Sequence, residues 1–97
     1  MIDTLFSDEL IAKRDVVKPR IAIYHLDLSS LDSVRNFVKE VTEKEEQIDI
    51  LVNNAGATGL GNKKTADGLL IGMQVNYFAP FLLTCLLLGK LVLLCYL

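Results

Sequence analysis

The chain has 97 residues, enough for a single domain spanning residues 1–97. Hydrophobic residues make up 52% of it and charged residues 23%, a globular balance that excludes intrinsic disorder. The net charge of -2, with the basic residues scattered, excludes a typical nucleic-acid-binding surface. One histidine and two cysteines are too few for a four-ligand zinc site or a disulfide framework, so no metal is expected.

The first 19 residues carry little pattern. Ser7, Asp8 and Glu9 can cap a short helix running through Arg14, and Pro19 disfavours helix at the residue before it. No signal peptide is predicted, because the first residues are acidic whereas a signal peptide begins with basic residues.

A strand and a helix are predicted next. Residues 20–28 are apolar with little alternation, as in a parallel strand covered on both faces, and they end at Asp27 and Leu28. Ser29 and Ser30 provide a capping signal for an amphipathic helix. The apolar face of that helix is formed by Leu31, Val34, Phe37, Val38 and Val41.

The second predicted strand carries the most informative stretch. Residues 48–52 are apolar, and the tetrad Asn53, Asn54, Ala55 and Gly56 follows at once. In an open α/β sheet, ligands bind outside the carboxyl ends of the strands. The tetrad therefore places polar side chains, and a glycine that lets a ligand approach the backbone, where a cofactor would lie.

A glycine-rich loop and a long helix complete the pattern. The glycines of residues 56–61 are spaced in the reverse order of a phosphate-binding fingerprint and open no helix, so a flexible loop is favoured. A helical segment is predicted from Thr65, apolar nearly all round over residues 69–88. Asn76 is an amide among these apolar neighbours, and a buried amide needs partners, which makes it a candidate site residue.

The C-terminal run allows two interpretations. Residues 78–97 are long enough to cross a bilayer, but Pro80, Gly89 and Lys90 interrupt them, so a core or interface helix is favoured over a membrane span. Cys85 and Cys95 in this run are predicted to be buried free thiols, which favours a reducing compartment.

The alternation of strand, helix, strand and helix predicts an α/β fold with a parallel sheet and crossover helices. In such a sheet Asp27 and Asn53 end neighbouring strands at the same carboxyl edge. We expect them, together with Asn76, to surround one nucleotide-sized hollow.

Three stretches of the sequence resemble consecutive landmarks of the short-chain dehydrogenase/reductase family, most closely its retinol dehydrogenase-like branch. They are residues 26–30, residues 49–56 with the Asn-Asn-Ala-Gly tetrad, and residues 67–84 with Asp67-Gly68 and Gln74-Val75-Asn76. Order and spacing agree from about residue 21 to residue 88, whereas residues 89–97 diverge. The resemblance implies a partial Rossmann-like, doubly wound domain of an oxidoreductase, cytoplasmic or associated with the endoplasmic reticulum.

The resemblance also implies roles for particular residues. Asp27, with the backbone of Leu28 beside it, would bind the adenine amino group of NADP or NAD. Asn53, Asn54, Ala55 and Gly56 would stabilise the central strand and contact the adenosine ribose. Asn76 would support a water-linked proton relay to a catalytic lysine that lies elsewhere in the family pattern.

Several parts of the family pattern have no counterpart in these 97 residues: the opening strand, its glycine-rich phosphate loop and the Tyr-x-x-x-Lys pair. The sequence therefore predicts a fragment of an NAD(P)-dependent enzyme for alcohols or carbonyls of retinol-like or lipid-like character, inactive alone. One alternative is a non-catalytic protein that pairs with a full-length relative, or with itself, through a helix at residues 65–90. Another is a small protein anchored in a membrane by residues 78–97.

Overall fold

The structure is a computed structural model that describes residues 19–91. Two sequence predictions, the helix at residues 7–14 and the burial of Cys95, lie outside these residues. Two helical regions organise the described chain: α1 at Leu31–Lys44, and a continuous helix made of α2 (Ile71–Met73), a π-helical segment (Gln74–Phe78) and α3 (Ala79–Leu87). The two regions pack together through α1 and α3.

The amphipathic helix predicted after residue 28 is confirmed as α1. Ser30 is its N-cap, and the Ser30 Oγ accepts a hydrogen bond from the backbone N–H of Ser33 at 3.2 Å. Val34 and Val41 on the predicted apolar face are buried. On the opposite face the Nζ of Lys44 lies 2.9 Å from Oε1 of Glu40, the supporting pair expected at a four-residue spacing.

The second helical region begins later than predicted. Helix starts at Ile71, not at Thr65, because residues 65–70 form a turn in which the N–H of Gly68 donates to the Thr65 carbonyl at 2.9 Å. Gly68 has a φ of 79°, a left-handed conformation that ends any helix beginning at Thr65. Further along, Pro80 lacks the N–H that would bond the carbonyl of Asn76, and the helix widens to π geometry just before it.

The predicted pair of parallel strands is not formed by the described residues. Residues 20–28 and 48–52 make no backbone hydrogen bonds to each other, and the second segment forms only an isolated parallel bridge between Ile48 and Leu91. Strand geometry is held by a hydrogen-bonded neighbour, and within residues 19–91 the first segment has none while the second has only this bridge. The prediction that both faces of these segments are covered is also wrong, because Ile23 is 68% exposed and Ile50 is 80% exposed.

The core lies where the two extended segments meet α1 and α3. Its buried members are Val34, Val41, Ala79, Leu83 and Leu87. Between the two extended segments a cleft of about 330 Å³ remains open, and its walls are mostly apolar. These walls include Leu26, Leu28, Val41, Leu51, Leu83 and Leu87.

The structure describes residues 78–91 of the apolar C-terminal run. Helix α3 ends at Leu87, and among residues 19–91 no helix combines the length and hydropathy needed to cross a membrane. Cys85 on this helix is a free thiol but is exposed, so its predicted burial is wrong.

Candidate functional site

Asp27 is held in a tight turn that precedes α1. Its Oδ1 accepts hydrogen bonds from the Oγ of Ser29 at 2.6 Å and from the backbone N–H of Ser29 at 2.9 Å. The backbone N–H of Asp27 donates to Oγ of Ser33 at 2.9 Å. The bond from the Ser29 hydroxyl, followed by that from its N–H, lowers the pKa of Asp27, so the carboxylate is charged near neutral pH.

A hydrogen-bond acceptor and a hydrogen-bond donor adjoin one another at this turn. Within residues 19–91, Oδ2 of Asp27 and the backbone N–H of Leu28 make no hydrogen bond. The Asp27 side chain is exposed. This turn can therefore recognise a planar group that pairs a donor with an acceptor.

The Asn-Asn-Ala-Gly tetrad follows the second extended segment, as the sequence indicates. Asn53, Asn54 and Ala55 line the cleft between the segments. The Nδ2 of Asn53 donates to Oγ1 of Thr84 at 3.1 Å, which ties the start of the tetrad to α3. The side chain of Asn53 is thus engaged in holding backbone segments together.

Asn76 holds the residue that follows the tetrad. Its Oδ1 accepts from the N–H of Ala57 at 2.8 Å, and its Nδ2 donates to the carbonyl of Ala57 at 2.7 Å. The carboxamide thus pairs with both backbone groups of one residue, as a neighbouring strand would. A Cβ placed on Gly56 would lie 3.5 Å from Oδ1 of Asn76, which is ordinary contact, so Gly56 directly adjoins this amide.

Gln74 and Asp67 form a polar network to which the sequence assigned no role. Gln74 is completely buried, and its Nε2 donates to Oδ2 of Asp67 at 2.9 Å and to the Leu28 carbonyl at 3.4 Å. The hydroxyl of Thr65 donates to Oε1 of Gln74 at 2.5 Å. Oδ2 of Asp67 also accepts from the N–H of Leu31 at 2.9 Å, and this bond, followed by that from Gln74, lowers the pKa of Asp67.

The predicted site residues are brought together in part. Leu28 is bonded by Gln74 and Ala57 by Asn76, so both predicted cofactor-binding segments are fixed to the same π-helical segment. The expectation of one hollow shared by Asp27, Asn53 and Asn76 is not met by the cleft, whose lining includes Asn53 but neither of the other two. The signal that could have found Gln74 is a long amide within an apolar helical run.

Tyr24, on the first extended segment, is hydrogen-bonded to an acidic side chain. The hydroxyl of Tyr24 donates to Oε1 of Glu45 at 3.0 Å, and this bond raises the pKa of Tyr24 above its ordinary value. A tyrosine that acts as an acid near neutral pH needs a lowered pKa. Tyr24 is therefore unsuited to proton transfer.

Comparison with known proteins decides the family. A sequence profile described as short chain dehydrogenase matches residues 7–92. The chain belongs to the short-chain dehydrogenase/reductase family. The family has a Rossmann-like α/β fold and generally uses NAD(P).

The similar curated proteins include several retinol dehydrogenases. Retinol dehydrogenase 13 of Mus musculus is 46% identical over 77 residues, which cover 79% of this chain and 23% of that protein. Retinol dehydrogenase 14 of Mus musculus is 44% identical over 72 residues, covering 74% and 22%. Polyprenol dehydrogenase of Danio rerio is 43% identical over 72 residues, also covering 74% and 22%.

The chain thus spans less than a quarter of the length of these short-chain dehydrogenase relatives. No solved structure gives a significant match. The resemblance to the retinol dehydrogenase-like branch of the family is confirmed by these relatives.

Proposed function

We propose that these 97 residues form the adenosine-binding part of an NAD(P)-dependent oxidoreductase that acts on alcohols or carbonyls. The proposal rests on hydrogen bonds that attach two parts of the chain to one helical segment. Gln74 of that segment bonds Leu28, and Asn76 bonds Ala57. This attachment gives a fixed relation between two segments to which the family resemblance assigns adenine and ribose contacts. Pre-organisation of that kind lowers the entropy cost of binding.

The chemistry of the Asp27 turn fits adenine. The base-pairing edge of adenine carries an amino donor beside a ring-nitrogen acceptor. Oδ2 of Asp27 would accept from the amino group, and the N–H of Leu28 would donate to the ring nitrogen. Guanine and hypoxanthine present an oxygen acceptor beside an N–H donor on that edge, so the turn disfavours them.

The residues after the second extended segment suit the adenosine ribose. Asn54, Ala55 and Gly56 are exposed, and the absence of a side chain at Gly56 leaves its backbone open to a ligand. Asn76 fixes the adjoining Ala57 and so holds this backbone in place. We assign Asn76 this positioning role, with the support of a proton relay to a lysine elsewhere in the enzyme.

We further propose a long, apolar alcohol or its carbonyl as the substrate of the complete enzyme. The names of the relatives refer to retinol and polyprenol, which are both apolar alcohols. When bound, the nicotinamide of the cofactor supplies or accepts the hydride. The 97-residue chain has no Tyr-x-x-x-Lys pair and Tyr24 has a raised pKa, so we expect it to oxidise no NADPH with an aldehyde substrate.

Replacing Asp27 by asparagine tests adenine recognition directly. We expect Asp27→Asn to weaken binding of 5′-AMP by about 10- to 100-fold, because it removes a hydrogen bond to a charged acceptor. Affinity is measured by NMR titration of the 97-residue chain. Asp32→Asn is the matched control, since Asp32 is an exposed carboxylate in the first turn of α1 and should leave the affinity unchanged. Equal affinities for both variants would overturn the assignment.

A second candidate function is association through the outer side of the long helix, with a second copy or a full-length relative. Met73, Tyr77, Phe81 and Leu88 are 47%, 60%, 64% and 45% exposed. Their spacing of four, four and seven residues places them in one stripe, which we call the outer stripe. Apolar stripes of this kind are typical of helix-pairing surfaces.

Phe81 is the most exposed member of the outer stripe and its best test. We expect Phe81→Lys to raise the dissociation constant of self-association by about tenfold, as loss of an aromatic anchor usually does. Light scattering coupled to size-exclusion chromatography over a range of protein concentrations measures it. Asn36→Lys adds the same charge at an exposed position of α1 and should change nothing. A chain that is monomeric throughout would rule out pairing with itself.

A further inference from the structure

Asp67 joins two parts of the chain that are far apart in sequence. Its Oδ2 accepts from the backbone N–H of Leu31, 36 residues away, and from Nε2 of Gln74, each at 2.9 Å. The first N–H groups of a helix have no partner within the helix. Ser30 caps α1 by bonding Ser33, and Asp67 satisfies Leu31 from outside the helix.

Gln74 extends this link to Leu28, the residue that directly follows Asp27. Its buried Nε2 bonds the Leu28 carbonyl as well as Asp67. Both anchors lie just after Asp27 in the chain, since Leu28 follows it directly and Leu31 begins α1 at the end of the turn. Leu28 is bonded directly to Gln74, and Leu31 is connected to Gln74 through Asp67. Gln74 belongs to the π-helical segment that also contains Asn76.

We infer that Asp67 is a positioning residue for adenine recognition, fixing the Asp27–Leu28 pair relative to the backbone that Asn76 holds. This inference rests on the proposed function. Without the Oδ2 of Asp67, Leu31 loses its acceptor and the Nε2 of Gln74 keeps only the long bond to the Leu28 carbonyl. The acceptor of Asp27 and the donor of Leu28 then lose their common alignment, although neither residue has been changed.

The test compares two nucleotides that differ at the base edge to which Asp27 would be hydrogen-bonded. 5′-AMP carries the adenine amino group, whereas inosine monophosphate carries an oxygen there. We expect the wild-type chain to prefer 5′-AMP by about tenfold and Asp67→Ala to lose that preference while binding inosine monophosphate as before. Asp67→Asn retains an acceptor oxygen and should restore part of the preference. NMR titrations give the affinities, and circular dichroism shows whether each variant is folded.

The outcomes separate this inference from the proposed function. A wild-type chain with no preference for 5′-AMP overturns the adenine site itself, and the role of Asp67 with it. A preference that survives in Asp67→Ala overturns only the role of Asp67. Parallel loss of both nucleotides in Asp67→Ala, without rescue in Asp67→Asn, assigns Asp67 to general folding and also overturns the inference.

Discussion

Replacing Leu87 by alanine is expected to lower the free energy of unfolding by about 2 to 5 kcal/mol. Leu87 is only 1% exposed and belongs to the core shared by α1 and α3. The core is small and Leu87 also lines the cleft, so few side chains are placed to move in and fill the resulting cavity. Urea unfolding followed by circular dichroism measures the loss.

The adjacent residue provides the control for Leu87. Leu86 is also a leucine of α3, but its side chain is 42% exposed. Leu86→Ala should change the free energy of unfolding by less than about 1 kcal/mol. Equal losses for the two variants would mean that α3 does not bury Leu87 against α1 in solution.

Replacing Gln74 by leucine is expected to lower the free energy of unfolding by about 1 to 3 kcal/mol, although leucine is apolar and similar in size. The substitution removes the Gln74 donor from the Leu28 carbonyl and one of the two donors from Oδ2 of Asp67, and it leaves the Thr65 hydroxyl without its acceptor. Because Gln74 is completely buried, water cannot readily replace these bonds. The same urea titration measures the change.

The exposed Gln47 makes a matched comparison. Its Nε2 donates to Oδ1 of Asp49 at 2.9 Å on the surface, where water can take its place. Gln47→Leu should alter stability by no more than about 0.5 kcal/mol. If Gln74→Leu is as stable as Gln47→Leu, the buried network contributes little to folding.

Local signals predicted α1 well. The cap at Ser30, the apolar face and the Glu40–Lys44 pair all act within a few residues of each other, so local sequence predicts them, whereas it does not predict the bond from Leu31 to Asp67. The long helix was predicted less well at its start, because Gly68 and the turn at Thr65 compete locally with helix formation.

The pairing of the extended segments could not be predicted from local sequence. Their apolar composition predicts buried strands, but pairing depends on a neighbour that no local pattern supplies, and residues 19–91 do not supply it. The Gln74 network was unpredictable for a related reason. Its partners at Leu28 and Asp67 are 46 and 7 residues away, and only the fold brings them to one buried amide.

The central claim is that this chain recognises the adenosine half of a nicotinamide dinucleotide through the Asp27 turn. Saturation-transfer NMR with NADPH tests it most directly, because it reports which ligand protons lie against the protein. We predict strong transfer to the adenine and adjoining ribose protons and little to the nicotinamide protons. Equal transfer to both halves, or none to adenine, would contradict the claim.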